Sequence, residues 1–353
     1  MDTRAEKLNN IIADGKVRVP SVLQEIQREW DLREDIIVKP EAMHFRVNAG
    51  ISTHLQGEAL NTEYLYTNFA RNQLLTKAGI PVKYADKLLE LEESELLKTN
   101  LDVMNKKLNQ DGLLLRHVNS QIKGVLSPSY RRMDGAPIIH GFVESALQAG
   151  YVPYTGTNTD YRYNICFILP EVFQPSENEF IVLGISITTG DYGSCALQIE
   201  LVILRITCRN LMLGTDVMRS VHIGKRFNMG EESIISISNE THDLDNRAVA
   251  SMVSDAVKSS IDLQGGVRQK ITNSMQDVPI DINVEIAKMR KKGFSKELAE
   301  SVKATYDAPL PVVSLPQDKN KWRLANAISL LANQDGIAKD LALDLQKLAM
   351  ATL

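Results

Sequence analysis

Residues 161–170 read YRYNICFILP, and their alternation decides the fold. Tyr161, Tyr163, Ile165, Phe167 and Leu169 fall on one face of an extended chain, and Arg162, Asn164, Cys166 and Ile168 on the other, because successive strand side chains point to opposite sides. The pattern predicts a strand in a one-sided sheet. Upstream, LLLRHV (113–118) and IKGVLS (122–127) flank a turn at Asn119 and Ser120 and read as a hairpin. PIIHGFVESALQAG (137–150) has helical periodicity and ends at Gly150. YVPYTG (151–156), FIVLGISITTG (180–190) and CALQIELVILRITC (195–208) supply further strands, so the order is β-β-α-β-β-β-β. Residues 197–207 are apolar but interrupted by Gln198, Glu200 and Arg205, which suits a buried strand. TTGDYGSCA (188–196) reads as a plain hairpin turn, with glycines enough to project as a finger.

Outward from this β-rich centre the texture is helical. VPSVLQEIQREW (19–30), LNTEYLYTNFARNQLLTKAGI (60–80) and residues 83–108 carry apolar residues three and four apart. Gly79 and Pro81 mark a stop between two of these helices, and 43–47 offers a short strand that joins the later sheet. After a mixed segment through Ser238, a helix capped by Thr241, Asp243 or Asp245 runs toward Leu263. Residues 281–294, 295–307 and 321–334 give three more helices, around the proline-bearing linker 308–320. The expectation is an α+β fold with an antiparallel core: a helical section at 1–111, the core at 112–264 and a helical section at 265–353.

Of the 353 residues, 44% are hydrophobic and 24% charged, which fits an ordinary folded protein. The N-terminal stretch is charged, with no apolar leader, and no run reaches the roughly 20 apolar residues of a membrane span. A cytoplasmic location with no membrane partner is expected. Cys166, Cys195 and Cys208 are too few and too irregularly spaced for a disulfide framework or zinc site, and read as small buried hydrophobes. None of the six histidines falls in H-x-x-x-H or H-E-x-x-H spacing, and G-x-S-x-G, Walker and G-x-G-x-x-G motifs are missing. The chain therefore reads as a binding protein rather than an enzyme, with no cofactor and no metal.

The net charge is −4, so any polyanion site must be a local patch. RHVNSQIKGVLSPSYRR (116–132) holds Arg116, Lys123, Arg131 and Arg132 without an acid, and Tyr130 adjoins the arginine pair. Cations that track phosphates beside a ring that stacks on a base are what a single-strand groove uses. A sheet edge guarded by charge is the plainer use of the same residues. RITCRNLMLGTDVMRSVHIGKR (205–226) gathers Arg205, Arg209, Arg219, Lys225 and Arg226 against Asp216 alone, with His222 nearby. These either clamp phosphate or pair with acids of the front helices. KMRKKGFSK (288–296) ends a helix, where the dipole accounts for its cations, and Trp322 reads as a core anchor.

LLLRHVNSQIKGVLSPSYRRMD, then RITCRNLMLG, then VHIGK, in that order, resemble the phage- and plasmid-borne domain-of-unknown-function family 932. That family has a strand ending in Cys-x-Asn, here Cys208, Arg209 and Asn210, before a basic segment with a histidine, here His222. GIPVKYADKLL and KWRLANAISLLAN are similar to its G-x-P-x-x-Y and W-x-x-x-N-A blocks, so the resemblance covers roughly 64–333. Leu211 stands where the family commonly has glycine, and the resemblance implies no catalytic residue. In architecture, a hairpin, a helix and a basic antiparallel sheet resemble the core of phage single-strand annealing proteins of the RecT and Red-beta type. That implies a homo-oligomeric ring or filament that holds single-stranded DNA without nucleotide hydrolysis, in recombination or replication. Arg131, Arg132, Arg205, Arg209, Arg219, Lys225 and Arg226 are then expected on phosphate, Tyr130 on a base and Lys123 along the groove. Two rivals stand beside it. One is a protein-interaction module aimed at host defence; the other is an enzyme using His222 with Asp216 or Asp243.

Overall fold

Turns that need a left-handed backbone punctuate the chain where the sequence predicts them: Gly79, Asn119 and Gly150 all have positive φ. The computed structural model describes residues 4–48, 50–55, 63–109, 111–220, 239–276, 279–309 and 315–353, the side chains of 215, 216 and 220 excepted. Helix α1 (Arg4–Asp31) leads into β1 (Arg33–Val38), β2 (Met43–Val47), β3 (Ile51–Leu55) and β4 (Tyr64–Tyr66). Three helices follow, α2 (Asn68–Lys77), α3 (Val82–Glu90) and α4 (Ser94–Leu108), then the hairpin of β5 (Leu113–Val118) and β6 (Gln121–Leu126). Helix α5 (Gly135–Gln148) precedes β7 (Val152–Asn158), β8 (Tyr163–Ser176), β9 (Glu179–Thr189), β10 (Leu197–Arg205) and β11 (Asn210–Ser220). Helices α6 (Asn239–Gln276), α7 (Ile282–Lys291), α8 (Lys296–Asp307), α9 (Lys321–Ala332) and α10 (Lys339–Met350) complete the chain.

The fold is α+β, with antiparallel-dominated sheets flanked by N- and C-terminal helices. There are two sheets among the described residues where the sequence pattern suggests one core. The first has the order β1-β5-β6-β4-β3-β2, with β4 and β6 parallel, and the second the antiparallel order β11-β10-β9-β8-β7. The β5–β6 hairpin thus belongs with the short N-terminal strands, and a strand beyond the expected four, β11, closes the second sheet. Helix α6 starts ahead of Thr241, Asp243 and Asp245 and runs past 264, and α10 follows the three expected tail helices.

The second sheet is not one-sided. Ile165, Phe167, Ile185 and Ile187 pack on Phe142 of α5 and on Val249 and Val253 of α6. The opposite face buries Cys166, Ile168, Val182 and Leu204 against Leu8 and Ile11 of α1 and Leu343 of α10. Arg162, just ahead of β8, and Asn164 at its start supply the polar half of the alternation; from Ile165 to Ile168 both faces are apolar and buried. In the first sheet Phe45, Ile51, Leu113, Leu115 and Ile122 pack on Leu74, Leu88, Leu97 and Leu101 of α2, α3 and α4.

Helix α9 is buried along most of its length, Trp322 included. Its polar residues pin the turn between β10 and β11. Asn210 Nδ2 donates to Asn326 O at 3.1 Å and to Asn326 Oδ1 at 3.2 Å, and Ser329 Oγ donates to Leu211 O at 2.8 Å. The Cys-x-Asn and W-x-x-x-N-A blocks therefore meet in space, as two halves of one helix-to-sheet lock.

Candidate nucleic-acid interface

The turn at 190–196 is a finger. Asp191 and Tyr192 are buried, inserted from the β9–β10 connection against the first sheet. Gly124 on β6 makes the room, since a Cβ there would stand 3.2 Å from Tyr192. Around the finger the two sheets meet through a buried ionic cluster. Arg33 of β1 donates to Asp191 Oδ2 and to Asp134 Oδ1, each at 2.7 Å. Arg116 of β5 is bidentate on Asp35 at 2.8 and 2.9 Å and donates to Asp191 O at 2.8 Å. Burial opposes the charge on Arg116, but Asp35, Asp191 and Asp134 outweigh it and hold its pKa above the ordinary arginine value. Burial likewise works against the Asp35 carboxylate, yet Arg116, Arg132 and Arg33 keep its pKa below the usual range.

This cluster uses several of the cations that the sequence offers for phosphate. Lys123 Nζ lies 2.8 Å from Glu29 Oε2. That Glu29 also accepts from the hydroxyls of Tyr192 and Tyr163. Arg132 Nε is 3.1 Å from Asp35, and Arg131 makes two hydrogen bonds to Asp245 of α6, at 2.8 and 2.5 Å. Arg205 is buried and bidentate on Glu179 at 2.7 and 2.8 Å. Arg209 pairs with Asp14 of α1 at 3.1 Å, with both side chains 53% exposed and the pair therefore loosely held. Arg219 is exposed on β11, opposite Gln198. Lys225, Arg226 and His222 lie outside the described residues, as does the side chain of Asp216, while Asp243 is exposed on α6. The structure thus brings Lys123, Arg131 and Arg132 to the sheet junction and sets Arg205 and Arg209 at the β10–β11 turn.

Tyr130 marks a different feature. It lines an open cleft of about 560 Å³, within the span of about 300–1,000 Å³ usual for ligand pockets. Helix α2, capped at Thr67, contributes Phe69, Asn72, Gln73, Thr76 and Lys77, and β6 with the segment after it contributes Val125, Leu126 and Ser127. Gly193, at the tip of the finger, closes one side. Its φ of 74° favours glycine, and a Cβ there would stand 2.7 Å from the end of the Leu126 side chain, which would have to move. Gln73 fixes the walls, its Nε2 donating to Tyr192 O at 2.7 Å and its Oε1 accepting from Val125 N at 2.8 Å. Phe69 stacks on Tyr161, centroids 4.6 Å apart at 17°. Burial raises the Tyr130 hydroxyl above its usual pKa, so it stays neutral.

Among the described residues no acid lines the cleft. Lys77 is its one cation, and among the described residues no acid pairs with it. Burial alone depresses its pKa from the ordinary lysine value. Ring surface, amides, hydroxyls and one ammonium in a shared opening suit a planar heterocycle joined to an anionic group. Phe69, Asn72 and Lys77 carry no motif; in the sequence they are part of one helical run, and only folding α2 over β6 gathers them with Tyr130.

Among the described residues no three His, Cys, Asp or Glu side chains converge to hold a metal ion, and no helix is long and apolar enough to cross a membrane. No family model, curated protein or solved structure matches the chain.

Proposed function

We propose that the chain binds single-stranded DNA, with one unpaired base entering the cleft beside Tyr130 and Phe69 and its phosphate meeting Lys77. What carries the reading is the lining of that cleft: half-buried ring surface and a lysine that no acid pairs among the described residues, in a chain of net charge −4. Stacking of bases on aromatic rings is sequence-tolerant and contributes about 1–3 kcal/mol per base. Duplex DNA keeps its bases inside and is excluded from such a site. Arg219, exposed on β11, adds a further cation in this reading. In keeping with the resemblance to phage and plasmid proteins, the proposed activity belongs to recombination or replication of a mobile element, by a homo-oligomer and without nucleotide hydrolysis.

Fluorescence anisotropy with a labelled single strand and its duplex, at low and moderate salt, tests the reading. The single strand is expected to bind more tightly, with affinity falling as salt rises. Equal binding of both forms, or none at micromolar protein, overturns it. One observation favours a protein partner instead: α3 and the residue that caps it expose Tyr84 and Leu91, and α4 exposes Leu96 and Val103, each pair seven residues apart. Failure of all DNA binding transfers the weight to that surface.

A further inference from the structure

We propose that a second pocket, at the turn between β10 and β11, binds a phosphate monoester or pyrophosphate group. The pocket is about 310 Å³ and lies between α1, β7 and the end of α9, apart from the cleft. Among the described residues Arg18 and Arg209 line it with the single carboxylate Asp14, so that lining is cationic by one. Tyr154 and Asn333 add a hydroxyl and an amide.

Arg209 is held in an unusual way. Its φ is 55°, a left-handed conformation that non-glycine residues seldom adopt and that persists where surroundings enforce it. Here they do: Asn333 Nδ2 donates to Arg209 O at 3.2 Å, while Asn210 next to it is locked on Asn326. The backbone of Arg209 is thus fixed at the rim of the pocket, while its guanidinium is tethered by the exposed pair with Asp14. Water screens that pair, with both partners about half exposed, and a dianion that meets two guanidinium groups at once displaces the single carboxylate. Burial keeps the hydroxyl of Tyr154 and the thiol of Cys208 protonated well above neutral pH, so neither adds a negative charge. Planar guanidinium forks match phosphate oxygens in pairs, which a lone lysine does not.

Isothermal titration of the full chain with pyrophosphate, and separately with inorganic phosphate, tests the site. Pyrophosphate is expected to bind, and Arg18→Gln with Arg209→Gln to weaken it by about tenfold or more, while Lys288→Gln, on the exposed face of α7, leaves it unchanged. Both arginines are at the surface; circular dichroism melts confirm that the variants fold, and Arg18→Gln alone is expected to give part of the loss. Absence of binding at millimolar pyrophosphate, or binding that survives the double substitution, overturns the proposal. Competition with an oligonucleotide carrying or lacking a 5′-phosphate then names the source. Displacement by the phosphorylated strand alone assigns the site to a DNA end, and no displacement by either assigns it to a free phosphorylated molecule.

Discussion

Arg116 shows how far a cation can be from the use its sequence neighbourhood suggests. It has the alternate spacing of a basic hairpin face, yet it is buried completely and wrapped by Asp35, Asp134 and the Asp191 carbonyl. Removal of one partner leaves a buried charge uncompensated, which costs about 3–5 kcal/mol. Asp35→Asn is therefore expected to lower the urea midpoint by a comparable loss of stability. The same carboxyl has a pH signature. Its folded pKa lies below the unfolded value, so its contribution is complete above about pH 4 and is lost as pH falls through the lower folded value. Asp245, held down first by its hydrogen bonds from Arg131, adds in the same sense. Asp191 has the opposite sign: burial raises its pKa, and its contribution fades as pH rises through that raised value. Urea midpoints from neutral to acid pH are expected to fall toward acid in the native chain and to flatten in Asp35→Asn. Lys77 carries the residue-scale prediction for binding. Oligonucleotide affinity is expected to fall as pH rises through the depressed lysine pKa, and Lys77→Arg to abolish that fall.

At the scale of elements, strands that alternate over long runs were legible and the partnership between them was not. β8, β9 and β10 lie where YRYNICFILP and its neighbours predict them, and Gly79 and Gly150 end their helices as read. β2 lies at the short strand read at 43–47, whereas β1, β3 and β4 escaped because each is six residues or shorter and set among helical text, so periodicity had little length to act on. Which sheet the β5–β6 hairpin joins is decided by β1 and β4, far away in sequence. The finger was legible as a turn, whereas its insertion depends on Gly124 in another strand. Gly124→Val is expected to cost about 1–3 kcal/mol by overpacking against Tyr192, and to raise amide exchange in residues 190–196 before the rest of the second sheet. Asn210→Ala is expected to loosen α9 from the β10–β11 turn, seen as faster exchange along α9, because it removes both bonds to Asn326.

Over the whole molecule, the excess of acid over base explains why counting cations misplaces a site. Acids from α1, β1 and α6 reach the basic hairpin, so Lys123, Arg131 and Arg132 act first as a clasp between two sheets. No spacing rule exposes such partners, since Glu29 and Lys123, or Arg131 and Asp245, lie roughly a hundred residues apart in the chain. Tyr130 was singled out in the sequence for its place beside Arg131 and Arg132, and its companions in the cleft, Phe69 and Lys77, came into view only with α2 packed on β6. The account predicts that DNA affinity depends on this acid-free cleft more than on the clasp. The most direct measurement is anisotropy of a labelled single strand with the native chain and with Phe69→Leu combined with Lys77→Gln, both checked for an unchanged melt. Loss of a stacking ring and a phosphate contact predicts affinity lower by about tenfold or more. Unchanged affinity in the double variant, or no binding by the native chain, would contradict the account.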